Sequence, residues 1–242
     1  MTLRHPLWRA CAAELLGTGM LTLAVVGSGI SAAQLTQDAG LRLALNAAAT
    51  GLALYVIIVV LTPVSGAHLN PVVSVVDAAM GRRPWKHLAG YLPAQFVGGV
   101  LGVMVANAIF GRPPVTISGD DRLDPWHVGA EVVATAGLIL VIFALARGGD
   151  HRATPAAVAA YIAAAYFFTS STSFANPAVT VGRIFTDTFA GIAPVAAAAF
   201  VPAQMAGAAL GAVLAVLMFP ARRVSAVTAA GRESGASASR PR

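Results

Sequence analysis

Hydrophobic residues are gathered into six long runs that are separated by short polar segments. A helix needs about 20 predominantly apolar residues to cross the hydrocarbon core of a bilayer, and most of the runs approach that length. The fifth run is the shortest. The pattern predicts six transmembrane helices at roughly residues 8–29, 41–61, 87–110, 126–146, 153–169 and 195–219.

Two further apolar stretches are too short to cross a bilayer. One begins at Asn70-Pro71, between the second and third runs, and the other at Asn176-Pro177, between the fifth and sixth runs. Asn is a preferred helix N-cap, and Pro is tolerated at the first helical position because its missing N–H would have no partner there. Each pair therefore predicts the start of a short re-entrant half-helix that follows extended backbone.

The two halves of the chain carry the same features in the same order. An acidic residue, Glu14 or Glu131, stands in the first run of each half, and an Asn-Pro pair follows. A Pro-Ala-Gln triplet then ends at Gln95 in one half and at Gln204 in the other. This order indicates an internal duplication. Because each half has three spans, the second half enters the membrane from the opposite side, and the half-helices meet near the midplane.

Composition agrees with an all-α integral membrane protein. Hydrophobic residues make up 57% of the chain and charged residues 11%, whereas soluble domains carry about 25% charged residues. The net charge of +6 does not indicate a nucleic-acid partner, because the basic residues lie at the ends of the predicted spans. The single cysteine, Cys11, excludes an intramolecular disulfide. No catalytic, metal-binding or cofactor-binding pattern is present, so we do not expect an enzyme.

The placement of Lys and Arg predicts the orientation. Twelve of them fall on the side that holds both termini and four on the other side, which predicts cytoplasmic termini in a cell membrane. Residues 1–223 are predicted to form one channel domain, with repeats at about 8–110 and 126–219. Residues 224–242 are rich in Ser, Ala and Gly and are predicted to be a disordered cytoplasmic tail.

The first motif, Ser-Gly-Ala-His-Leu-Asn-Pro at residues 65–71, and the second, Asn-Pro-Ala at residues 176–178, resemble those of the major intrinsic protein family of aquaporins and aquaglyceroporins. The resemblance extends over residues 14–219, and Val72 departs from it where the family has Ala. It implies a homotetramer whose pore motifs are Asn70, Pro71, Val72, Asn176, Pro177 and Ala178.

Three titratable residues in the predicted spans and loops have competing interpretations. Intramembrane carboxylates are usually functional, so Glu14 and Glu131 would suit a proton relay. The resemblance instead implies that they accept hydrogen bonds from the re-entrant loops, and we favour this structural role. For His68 we favour packing of the loop over gating or pH sensing.

Family spacing assigns the selectivity constriction to Thr50, Ala164, Ser173 and Val179. Val179 stands where the family has an arginine. Arg183 follows one helical turn later, and we do not expect it to replace the missing side chain. The constriction is therefore predicted to be wide and uncharged.

The sequence predicts a passive channel for small uncharged solutes and water. Residues 171–179 resemble a bacterial branch found beside arsenic-resistance genes, so arsenous acid joins glycerol-like polyols as a candidate solute. Three alternatives stay open: a water-selective aquaporin, a proton-coupled secondary transporter, and a non-conducting scaffold of the same fold. A proton-coupled transporter would need a titratable group at the midplane, where only Glu14 and Glu131 are available.

Overall fold

The computed structural model describes residues 6–220. Eight α-helices account for most of these residues. They are α1 (Leu7–Leu35), α2 (Ala39–Ser65), α3 (Pro71–Ala79), α4 (Leu88–Ile109), α5 (Pro125–Gly148), α6 (Thr154–Phe168), α7 (Pro177–Gly182) and α8 (Pro194–Met218), with short 3₁₀ turns at Trp85–His87 and Arg183–Phe185. The predicted tail, residues 224–242, lies outside the described part of the chain.

The predicted all-helical arrangement, with six helices and two half-helices, is confirmed. Five helices are long and apolar enough to cross a membrane, and the 15-residue α6 is shorter. At 1.5 Å per residue α6 measures about 22 Å. The helices α3 and α7 begin at Pro71 and Pro177, each after an asparagine in extended conformation.

Two helices run further than the hydrophobic pattern predicts. The helix α1 continues past Gly29 to Leu35, and α2 continues through Pro63 to Ser65. Gly29 does not end its helix because it is a packing position, where a Cβ atom would lie 3.2 Å from Ala190 Cβ. Pro63 lies in the last turn of α2, and membrane helices tolerate proline when neighbouring groups satisfy the freed carbonyl.

Each half of the chain packs in the same way. The helix α1 lies between α2 and α4, and α5 lies between α6 and α8, while α2 and α6 join the halves. The backbones of α1 and α4 are in contact, since a Cβ atom at Gly102 would overlap Gly19 O. The backbones of α5 and α8 are in contact in the same way, since a Cβ atom at Gly211 would overlap Ala136 O. Small residues at such crossings allow helices to approach closely in a membrane.

Candidate functional site

The loops that precede the two half-helices have an unusual backbone. Ala67 and Leu69 have positive φ angles of 49° and 54°, and Ser173 and Ala175 have 53° and 47°. These residues stand three positions and one position before Asn70 or Asn176. Left-handed backbone is unfavourable for residues other than glycine, so each loop requires fixed support from its surroundings.

Glu14 supports the first loop from the interior of α1. Its side chain is fully buried, and its two oxygens accept hydrogen bonds from the backbone N–H groups of His68 at 2.9 Å and Leu69 at 2.6 Å. Gln95 of α4 donates a third bond at 2.7 Å. A buried carboxylate with three donors has its hydrogen-bonding capacity largely used within the protein.

Glu131 supports the second loop in the corresponding way. It is fully buried on α5 and accepts from the backbone N–H groups of Phe174 at 2.9 Å and Ala175 at 2.8 Å. Gln204 of α8 donates to it at 2.7 Å, and the Ser171 hydroxyl donates at 2.6 Å. Both glutamates therefore make the contacts that a structural role requires.

Asn70 and Asn176 join the two loops at the centre. The Asn70 side-chain amide donates to Ala175 O, and that of Asn176 donates to Leu69 O, each at 2.8 Å. Each side-chain oxygen also caps its half-helix, accepting from Val72 N in α3 and from Ala178 N and Val179 N in α7. The positive ends of both half-helix dipoles therefore meet beside the two amides.

A cavity of about 320 Å³ runs past these amides. Asn70, Asn176, Thr50, Ser173 and Val179 contribute to its wall. The other predicted motif residues lie outside this wall. Among them, Ala178 is fully buried beside α4, and the remaining three line a separate apolar groove between α3, α4 and α8: Pro71, Val72 and Pro177.

The prediction that Ala164 lines the constriction is wrong. Ala164 lies on the exposed face of α6, outside the cavity wall. Ile162 and Tyr166, two positions to either side, line the cavity instead. The Tyr166 hydroxyl lies 3.3 Å from Thr50 Oγ1, so an aromatic side chain faces one of the predicted constriction residues. The spacing from Asn176 could not reveal this offset, since residues 163–165 are all alanine.

The expectation of an uncharged opening is also wrong. Arg183 is buried and lines the same cavity as Val179 and Thr50. Its Nε donates to Ala190 O, and its Cζ lies 3.5 Å from the centre of the Phe174 ring. The short helix α7 ends at Gly182, and the following turn brings Arg183 back toward the cavity.

The opposite end of the cavity holds a second charged group. The two ends of the cavity correspond to the two ends of helix α2. Arg42, near the start of α2, lies against Phe189, which is next to the Ala190 that binds Arg183. Ser65, at the end of α2, accepts a hydrogen bond from Arg83. Arg83 and Asp77 line the cavity here together with His68. Asp77 and Arg83 were not predicted as site residues, although a carboxylate inside a predicted half-helix was a usable signal.

Inverted repeats whose half-helices meet beside a cavity are typical of multi-pass membrane transport proteins. The sequence profile of the family described as major intrinsic protein matches residues 1–171. Aquaglyceroporin AqpS of Rhizobium meliloti (strain 1021) is 47% identical over 90% of this chain and 94% of that protein. The lens fiber major intrinsic protein of Gallus gallus is 29% identical over 88% of this chain and 80% of its own length.

The fold is also similar to a solved structure. The aquaglyceroporin from Plasmodium falciparum superposes with a TM-score of 0.70, covering 86% of this chain and 95% of that one at 19% identity. The chain belongs to the major intrinsic protein family. It is accordingly a passive membrane channel for water and small neutral solutes, and it is not an enzyme.

Proposed function

We propose that the chain forms a homotetramer in the cell membrane, with both termini cytoplasmic and residues 1–223 as the channel domain. Each subunit's pore passes glycerol-like polyols and neutral metalloid acids such as arsenous acid, in addition to water. The single observation that carries the proposed class of solutes is the cavity, whose lining combines hydrogen-bonding groups with aliphatic side chains.

Polar groups along the cavity suit hydroxylated solutes. Each asparagine amide has two N–H groups, and one is used between the loops, so the other is available to a solute oxygen. Among the described residues, the buried Ser173 Oγ has no hydrogen-bond partner. A solute can pass if it forms hydrogen bonds at these points in place of those it makes with water. The side chain of Val179 leaves more room for such a solute than an arginine at that position would.

Similarity to an aquaglyceroporin that is 47% identical supports glycerol as a solute. Arsenous acid is proposed from the resemblance of residues 171–179 to the branch found beside arsenic-resistance genes. Both solutes are neutral, which agrees with a path that passes two positive helix ends and Arg183.

A water-selective pore is the second candidate. Tyr166 and Arg183 both line the cavity, and an aromatic ring together with a guanidinium would narrow an opening more than the predicted set of small residues. The size of the residual opening beside Val179 decides between the two candidates.

Stopped-flow volume changes in proteoliposomes test the proposal. The wild type should pass water, glycerol, urea and arsenous acid above the rate of protein-free vesicles. Val179→Arg should lower the glycerol-to-water permeability ratio, because it adds a large cationic side chain beside Arg183. Arg183→Gln should raise that ratio, because a shorter neutral side chain widens the same opening.

Each outcome has a defined consequence. A wild type that passes water and excludes glycerol would establish the water-selective candidate. An unchanged ratio in folded Val179→Arg protein would contradict the placement of the constriction at Val179. Accumulation of glycerol against its gradient under an imposed pH difference would contradict passive transport.

A further inference from the structure

Asp77 and Arg83 form a buried ion pair at the end of the cavity opposite Arg183. Arg83 Nε lies 3.3 Å from Asp77 Oδ2, and the two side chains are only 9% and 11% exposed. Arg82 reaches the other oxygen of the same carboxylate at 3.0 Å. Two guanidinium groups thus share one carboxylate.

The position of Arg83 is fixed by several further contacts. Its guanidinium donates to the Tyr91 hydroxyl at 2.6 Å and to Ser65 O at 2.9 Å, and its Cζ lies 4.4 Å from the centre of the Tyr91 ring. Gly66 leaves the space for it, since a Cβ atom there would lie 3.1 Å from Nη2. A guanidinium held on so many sides keeps its charge at one point of the cavity wall.

His68 connects this cluster to the half-helix. His68 Nε2 lies 3.3 Å from Arg83 Nη2 and 3.5 Å from Asp77 Oδ2. Its Nδ1 lies 3.0 Å from Ser74 Oγ of α3. The histidine ring therefore contacts both members of the ion pair.

The need for a positive charge at this end follows from the direction of α3. The positive end of its dipole lies at Asn70, so the negative end lies toward Asp77 and the mouth. The dipole and the carboxylate together would attract cations into this mouth. Arg83 lies where it opposes that attraction, beside Asp77 and in the wall of the cavity.

We propose that Arg83 is a specificity-determining residue of this channel, forming a second cation barrier at the α3 end of the pore. This inference rests on the proposed pore through the cavity. It assigns exclusion of cations to two separate ends of the path, Arg183 at one and Arg83 at the other.

The experiment measures potassium leak and water permeability in the same proteoliposomes. Arg83→Gln should raise the potassium leak by about tenfold, because one unit of positive charge is removed from the cavity wall at the α3 end. Arg83→Lys should keep the wild-type leak, since the charge is retained. Lys86→Gln is the matched control, because Lys86 is exposed on the same side of the protein and lies outside the cavity wall.

Asp77→Asn distinguishes an electrostatic barrier from an ion pair that only holds the structure together, which we call a clamp. The barrier predicts that this variant leaks no more potassium than the wild type, because the mouth becomes more positive. A clamp predicts that Asp77→Asn and Arg83→Gln both leak. A wild-type leak in folded Arg83→Gln, or a leak in Asp77→Asn, would overturn the proposal. If liposomes with the wild-type protein passed water no faster than protein-free liposomes, the proposed pore itself would be contradicted.

Discussion

The first and second Asn-Pro loops are supported in the same way and end differently. Both have positive φ angles at corresponding positions, and each is held by a buried glutamate that also accepts a hydrogen bond from a glutamine. The far ends of the half-helices share nothing comparable. The helix α3 leads to the Asp77–Arg83 pair, whereas α7 stops after six residues and leads to Arg183.

The centre of the site and its two ends therefore meet different requirements. The centre must satisfy buried backbone groups, whereas the ends must select solutes. At the centre, two loops without regular secondary structure lie inside the protein, and their N–H groups need buried acceptors. Glu14 and Glu131 supply these acceptors, so both halves have the same arrangement of a buried glutamate and a loop. At the ends, side chains decide which solutes enter, and nothing requires the two ends to match.

The largest expected effect comes from removing the shared support. Glu14→Gln and Glu131→Gln each replace a buried acceptor oxygen with a donor that faces other donors. Each should lower the free energy of unfolding by at least about 2 kcal/mol. Glu131→Gln should be the more severe, because Glu131 also accepts from Ser171. Thermal unfolding of the detergent-solubilised protein measures both.

A control for this pair is Asp121→Asn, which alters an exposed carboxylate that accepts from Leu123 N. It should unfold within about 0.5 kcal/mol of the wild type. If only one of the two glutamate variants were destabilised, the equivalence of the loops would be refuted.

A smaller effect is expected where the helices of each half touch. Gly102→Ala and Gly211→Ala place a methyl group against the carbonyls of Gly19 and Ala136. Each should cost about 1–3 kcal/mol in unfolding free energy. Gly129→Ala is the matched control, because an added Cβ there would have no heavy atom within 4 Å beyond the neighbouring residues and the backbone of its own helix. Equal melting temperatures for all three variants would contradict the close packing.

Much of the fold was predictable from the sequence because it depends on local patterns. Hydrophobic run length gave the spans, and Asn70-Pro71 with Asn176-Pro177 gave the half-helix starts to the residue. The ends of α1 and α2 were missed, since Gly29 and Pro63 stop helices in water more readily than inside a packed membrane protein.

The site was less predictable because it depends on how distant segments of the chain pack against each other. Ala164 was misplaced, as the alanines around it carry no positional signal, and Tyr166 was overlooked. The approach of Arg183 to the cavity depends on the turn that follows α7. The pairing of Asp77 with Arg83 depends on a turn that follows α3, and neither turn is specified by periodicity.

Blocking the cavity beside Asn70 and Asn176 tests whether solutes pass through it. Cys11 is the single cysteine, so a Cys11→Ser background allows Ser173→Cys and Ala164→Cys to be labelled with benzyl methanethiosulfonate. Labelling of Ser173→Cys should reduce glycerol flux to that of protein-free liposomes, while labelled Ala164→Cys should keep its flux. Undiminished flux through fully labelled Ser173→Cys would show that solutes take another path.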